Sequence, residues 1–145
     1  VTNAPKIQRA LIDLIARTPA FSTRQVSLMH PGALLEMEAV FINGVSVRET
    51  ARSIGKSHRR EVLTITLALV AEVNADDMQD AFDRAYRMFN DLEDVIAANP
   101  DLNTEHVLFA QVASWEQSNF AGDGKRAVEM TVDVEVTANK DPEVN

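Results

Sequence analysis

Between positions 60 and 99 the spacing of apolar side chains changes from two residues to three and four. Leu63, Ile65, Leu67 and Leu69 alternate with Thr64, Thr66 and Ala68, the period of a strand with one buried face. Met78, Ala81, Phe82, Ala85, Met88, Phe89, Leu92, Val95 and Ile96 then recur at helical spacing, which predicts an amphipathic helix. Asn74 or Asp76 suits its N-cap. Asp76, Asp77 and Asp80 suit the positive end of its dipole, and Pro100 stops it.

The same reading extends to both ends of the chain. Asn3-Ala4-Pro5 is a helix start signal, and Ile7, Ala10, Leu11, Leu14 and Ile15 form one apolar stripe before Pro19. Residues 25–30 and 35–42 alternate as strands. Asn43-Gly44 is a tight-turn dipeptide, which closes a hairpin onto residues 45–48 or opens a loop. Residues 45–59 are irregular and basic, and a loop of that length in a compact domain is usually functional or mobile. Residues 107–118 read as one uninterrupted strand, with Phe109, Gln111, Ala113, Trp115 and Gln117 on one face. Ala121-Gly122-Asp123-Gly124 is a turn with two glycines for positive φ. In 126–137, Val128, Met130, Val132, Val134 and Val136 alternate with polar residues, so the two segments predict a long antiparallel C-terminal hairpin.

This order predicts an α+β domain: a mostly antiparallel sheet of about four strands, two helices on one face, a long basic loop and a long C-terminal β-hairpin. The uncovered face carries Thr64, Thr66, Thr131, Asp133 and Glu135 and is polar, as solvent requires. Residues 1–138 form the domain, and 139–145 are expected to be a flexible tail.

Composition narrows the function classes. The chain has 145 residues and no cysteine, which excludes disulfides and thiolate chemistry. No apolar run approaches the ~20 residues of a membrane span. The first nineteen residues are periodic rather than continuously apolar, so no export signal is expected. The net charge of −8 is unevenly divided: residues 1–72 carry nine basic against six acidic residues (+3), and residues 73–145 carry five against sixteen (−11). Such a division describes two solvated faces of one domain, or copies that meet head to tail, basic surface on acidic.

Catalytic signatures are weak throughout. Gly55-Lys56-Ser57 resembles the end of a P-loop, but Thr50 stands where the leading glycine belongs, and a strand rather than a helix follows. His30, His58 and His106 lie in no paired metal motif. Glu129, Asp133 and Glu135 share a strand face, where carboxylates stand ~7 Å apart at i, i+2 spacing, but no other catalytic group converges on them. No catalytic, cofactor or metal residue is assigned, and no cofactor is expected.

The full succession resembles a known family. The residues that carry the likeness are the ALIDLIARTPAF helix, the basic loop running into RREVLTITLALVAEV, the acidic helix DDMQDAFDRAYRMFNDLEDVIAANPDL, and the hairpin VLFAQVASWEQSNFAGDGKRAVEMTVDVEVTA. Together they resemble the tail terminator (tail completion) proteins of long-tailed bacteriophages, the lambda-type terminator family, over residues 4–138. The resemblance implies a structural virion protein, not an enzyme. It implies a hexameric homo-oligomeric ring at the head-proximal end of the tail, with the tail tube protein and a head-completion or neck protein as partners. It also implies that genomic DNA passes through the lumen without sequence-specific binding. Under that reading Arg48, Arg52, Lys56, Arg59 and Arg60 of the loop, and Asp76, Asp80, Asp83, Asp91 and Asp94 of the helix, are candidate subunit or partner contacts. Glu129, Asp133 and Glu135 are candidate lumen residues. Another neck connector, such as a head-completion or stopper protein, and a tail tube subunit are alternatives of the same class. A small cytosolic binding module or α+β enzyme is the alternative from another.

Overall fold

The computed structural model describes residues 1–32, 37–50, 59–74 and 77–140. Helix α1 (Ala4–Arg17) leads through a 3₁₀ turn at Pro19–Phe21 into β1 (Gln25–Ser27) and β2 (Glu38–Thr50). Then follow β3 (Arg59–Asn74), α2 (Met78–Ala98), β4 (Val107–Gly122) and β5 (Lys125–Lys140). The five strands form one sheet in the order β1-β2-β3-β5-β4. Only β1 against β2 is parallel; the other pairs are antiparallel. The class is the expected α+β, with one more strand than the four read from the sequence.

Both helices pack on one face. Leu63, Ile65, Leu67 and Leu69 of β3 and Val128, Met130, Val132, Val134 and Val136 of β5 are fully buried there. They join Ile7, Leu11 and Ile15 of α1 and Ala85, Met88, Leu92 and Ile96 of α2 in one cluster. Each Val, Leu, Ile or Met side chain among them contributes about 1.5–3 kcal/mol when fully buried. The opposite face holds a small cluster of Phe41, Ala68 and Val70, with the His30 ring edge-on to Phe41 at 4.8 Å.

Several local expectations change. Asn43-Gly44 makes no turn: β2 runs through it, and the register with β3 shifts between Ile42 and Gly44. Both flanks find partners on β3, so the extra residue is absorbed as a bulge. Residues 45–50, for which the sequence left open a hairpin arm at 45–48 or the start of a loop, are strand, and positions 51–58 lie outside the described residues. Strand β4 has register shifts at Val107/Phe109 and Val112/Ser114. Ala110 and Val112 lie opposite Val136 and Val134, and beyond the second shift Trp115 lies opposite Val132. The single alternation predicted for this strand thus changes phase at Ala113. Positive φ falls on Asp123 and Gly124, not on Gly122, which gives a two-residue hairpin loop of the primed type. Strand β5 continues to Lys140, two residues into the expected tail.

The helix caps also differ. Asp77, not Asn74 or Asp76, caps α2 and accepts from Asp80 N at 3.0 Å. Asn74 is the last residue of β3, and Asp76 lies outside the described residues. Asn3 makes no side-chain cap on α1. Its amide instead donates to Asn139 O at 2.8 Å, and its backbone N–H donates to Glu61 Oε1 at 3.0 Å. Thr2 Oγ1 donates to the same carboxylate and accepts from Ala4 N. Glu61 is only 1% exposed. A buried carboxylate on β3 therefore receives the start of α1, where the helix dipole favours negative charge.

Candidate functional site

Three charged groups of residues were candidates, and the fold treats each differently. The basic group sits where β2 and β3 close on each other, with Thr50 opposite Arg60. Arg48 and Arg60 are exposed, Arg59 opens β3, and Arg52 and Lys56 lie outside the described residues. Glu49, the one acid in this stretch, pairs with Lys140 at the end of β5. The local acid is thus engaged by a cation from another strand.

The aspartate row of α2 is partly engaged within the subunit. Asp80 binds Arg84 Nε at 3.0 Å and Asp91 binds Arg24 Nη1 at 2.6 Å. Glu38 of β2 accepts from Arg24 at 3.1 Å and from Arg84 at 3.2 Å. This chain of five groups ties the middle of α2 to the outer strands. The hydrogen bond that Arg84 donates to Asp80, with the nearby charges of Asp80 and Glu38, raises the Arg84 pKa above its ordinary value against a smaller desolvation effect. The Arg24 side chain is 10% exposed, and its guanidinium lies 5.0 Å from the Phe21 ring centre, within cation–π range. Asp83 accepts from Gln79 at 3.0 Å. Asp83 and Asp94 face solvent, and Asp76 lies outside the described residues. Sequence reading missed Arg24, Glu38 and Arg84. The i, i+4 pair Asp80/Arg84 was readable in principle; Arg24 and Asp91, 67 residues apart, carried no local signal.

Glu129, Asp133 and Glu135 do share the face turned away from the helices, all half-buried. Asp133 accepts from Thr66 Oγ1 at 2.7 Å and from Ser114 Oγ at 3.1 Å, so hydroxyls on both neighbouring strands hold it. Glu135 lies opposite Thr64 and Gln111, and Glu129 opposite Val70 and Ser118. Glu116 of β4, opposite Thr131, and Glu72 of β3, opposite Ala127 and paired with Lys125 at 3.2 Å, also lie on this face, and the sequence reading had not grouped them with these.

Among the described residues no cluster of three His, Asp or Glu is placed to hold a metal ion. His30 Nδ1 accepts from Gly32 N at 2.8 Å, and His106 stands 3.8 Å from Glu105. No described helix is long and apolar enough to cross a membrane. The described residues outline open grooves on the surface. One of about 370 Å³ lies between α1 and the outer edge of β2, beside Gln8, Arg9, Met29 and Asn43.

The described residues form an α+β fold with prominent charged surfaces. No protein-family model matches the chain, and no curated protein matches it. Among solved structures it is similar to a chain of "Virion of native gene transfer agent (GTA) particle", with a TM-score of 0.62 and 11% sequence identity. The similarity covers 91% of this chain and 95% of that one. At this identity the likeness is one of fold.

Proposed function

We propose that this protein is a structural component of a phage-like virion. Within that class we propose a tail terminator, a ring that ends tube growth and joins the tail to the head neck. The observation that supports the class is the fold likeness, over most of both chains, to a chain of a gene transfer agent virion particle. The finer role rests on the resemblance in element order and on the division of charge.

In this reading the exposed Arg48 and Arg60, with Arg52, Lys56 and Arg59, meet the acidic surface of a neighbouring copy or of a neck or tube protein. Asp83 and Asp94 are the aspartates of α2 most available to them, because Asp80 and Asp91 already pair within the subunit. Glu129, Asp133 and Glu135 give the open sheet face a negative potential. Placed at a lumen, such a face repels DNA phosphates, so the genome slides without adhering.

The test is micrographs of particles made without this gene product. Filled heads beside separate, overlong tails are the expected outcome. Leaking or empty heads would identify a stopper instead, and normal particles would reject both. Reversal of Arg52, Lys56, Arg59 and Arg60 to Glu is expected to leave the monomer folded and to weaken head–tail joining. Unchanged joining would remove these four basic residues from the mechanism.

A further inference from the structure

Exposed apolar side chains gather on one strand. Leu108, Phe109, Trp115 and Phe120 of β4 are 44%, 50%, 45% and 53% exposed. Strand β4 is an edge of the sheet, sixteen residues long, with Glu116 as its one charged residue. Natural edges are normally shortened, charged or interrupted by proline, because their unpaired N–H and C=O groups recruit other strands. This edge has bulges, yet it lacks lysine and proline. Tyr86 and Phe89 of α2 support Trp115 from the helix side, with ring centres at 5.9 and 5.3 Å.

Among the described residues the sheet has a second open edge. Strand β1 covers Ala39–Phe41 of β2, and Leu28 O just beyond it accepts from Ile42 N at 3.3 Å. Among the described residues, nothing pairs with the outer side of β2 from Gly44 to Thr50, where Val47 is 43% exposed. Beside the start of that stretch lies the groove walled by Gln8, Arg9 and Met29. In the strand order β2-β3-β5-β4 every step is antiparallel, so β2 and β4 run in opposite directions.

We infer that β4 of one copy pairs edge to edge with Gly44–Thr50 of β2 in the next copy, forming a continuous antiparallel sheet across a head-to-tail interface. Copies that share one strand orientation meet antiparallel at this junction, and their helix-bearing faces continue into each other. Val47 lies opposite Leu63 on the helix side and Arg48 opposite Val62 on the open side. Trp115 and Glu116 divide in the same way, opposite Val132 and Thr131. The register that sets Trp115 against Val47 sets Glu116 against Ser46 and places Arg48 diagonal to Glu116. An aromatic side chain then meets a β-branched one, and opposite charges are neighbours. The contact is heterologous, so it closes a ring or extends a filament. It deepens the ring proposed above, giving Arg48 a partner in Glu116 on the open face in place of the α2 aspartates, and does not need the virion role.

The chain has no cysteine, so engineered thiols report the contact directly. Ser46→Cys and Glu116→Cys, both at exposed positions, are made singly and mixed, and sedimentation is followed across the soluble concentration range. A Ser46–Glu116 cross-link found only in the mixture, with association weakened about tenfold or more by Trp115→Arg, is expected. Cross-linking of Glu116→Cys with itself would mean symmetric β4–β4 pairing and overturn the proposal. Oligomers that form with neither cross-link, and that Trp115→Arg does not weaken, would overturn it while leaving the ring reading intact. A chain that stays monomeric at every concentration would overturn both.

Discussion

Strands β4 and β5 are equal in length, joined by a two-residue turn and paired along nearly their whole extent, yet they behave as different materials. Strand β5 lies between β3 and β4, and every second side chain from Val128 to Ala138 is buried under the helices. Strand β4 has one neighbour, two register shifts and side chains that are mostly in solvent. A strand bonded on both sides cannot gain or lose a residue without turning its apolar set to the wrong face. A strand bonded on one side can absorb an extra residue, because a bulge disturbs a single ladder.

The sharpest way to break this comparison is to delete one residue from each strand. Removing Thr131 from β5 shifts the register of one half of the strand and turns its valines outward. Loss of the cooperative thermal transition is expected. Removing Ala113 from β4 takes out the residue that the second bulge accommodates. Val112 and Ser114 then follow each other in regular alternation and keep their partners Val134 and Asp133. The melting temperature is expected to move by no more than about 5 °C. Equal damage from the two deletions would mean that the edge strand is as constrained as the central one.

Truncations test the same contrast with less disruption. Met130 is fully buried, and Met130→Ala is expected to cost about 2–5 kcal/mol, from lost transfer energy and the cavity left behind. Phe109→Ala, at a half-exposed site on β4, should stay within about 1 kcal/mol. Denaturant unfolding with matched m-values measures both.

The centre of the sheet also holds a polar anchor. Glu61→Ala removes the acceptor for Asn3 N and Thr2 Oγ1 and leaves a buried N–H without that partner. A loss of about 1–3 kcal/mol is expected. Hydrogen exchange should show α1 opening before α2. Simultaneous opening would mean that the helix start is held by packing alone.

The same division explains what could be read from the chain before its structure. The pattern of β3, β5 and α2 is legible because each buries one regular stripe. Strand β4 misleads because its bulge at Ala113 changes phase without any glycine or proline to mark the place. Asn43-Gly44 misleads in the opposite sense: a turn dipeptide sits inside a strand because residues on both sides find partners on β3. The charged candidates were visible as charges, but their partners were not. Arg24 reaches Asp91 and Glu38 only through the tertiary fold, so the aspartate row looked uniform when two of its members are already engaged.

That unevenness gives the smallest predicted effect and the finest test. Asp91 lies against Arg24, whose side chain is almost buried, whereas Asp94 faces solvent three residues further on. Asp91→Asn is expected to lower stability by about 1 kcal/mol, at the upper end of the range for partly exposed ion pairs, and the loss should shrink as salt screens the pair. Asp94→Asn should leave the melting curve unchanged within error. For association the order should invert: Asp94 remains available to a basic surface, so its neutralisation weakens assembly more than that of Asp91. If Asp91→Asn weakens assembly more at matched stability, the aspartate that pairs inside the isolated subunit must exchange Arg24 for a partner on another chain, and the network on α2 would then be a contact that assembly rearranges.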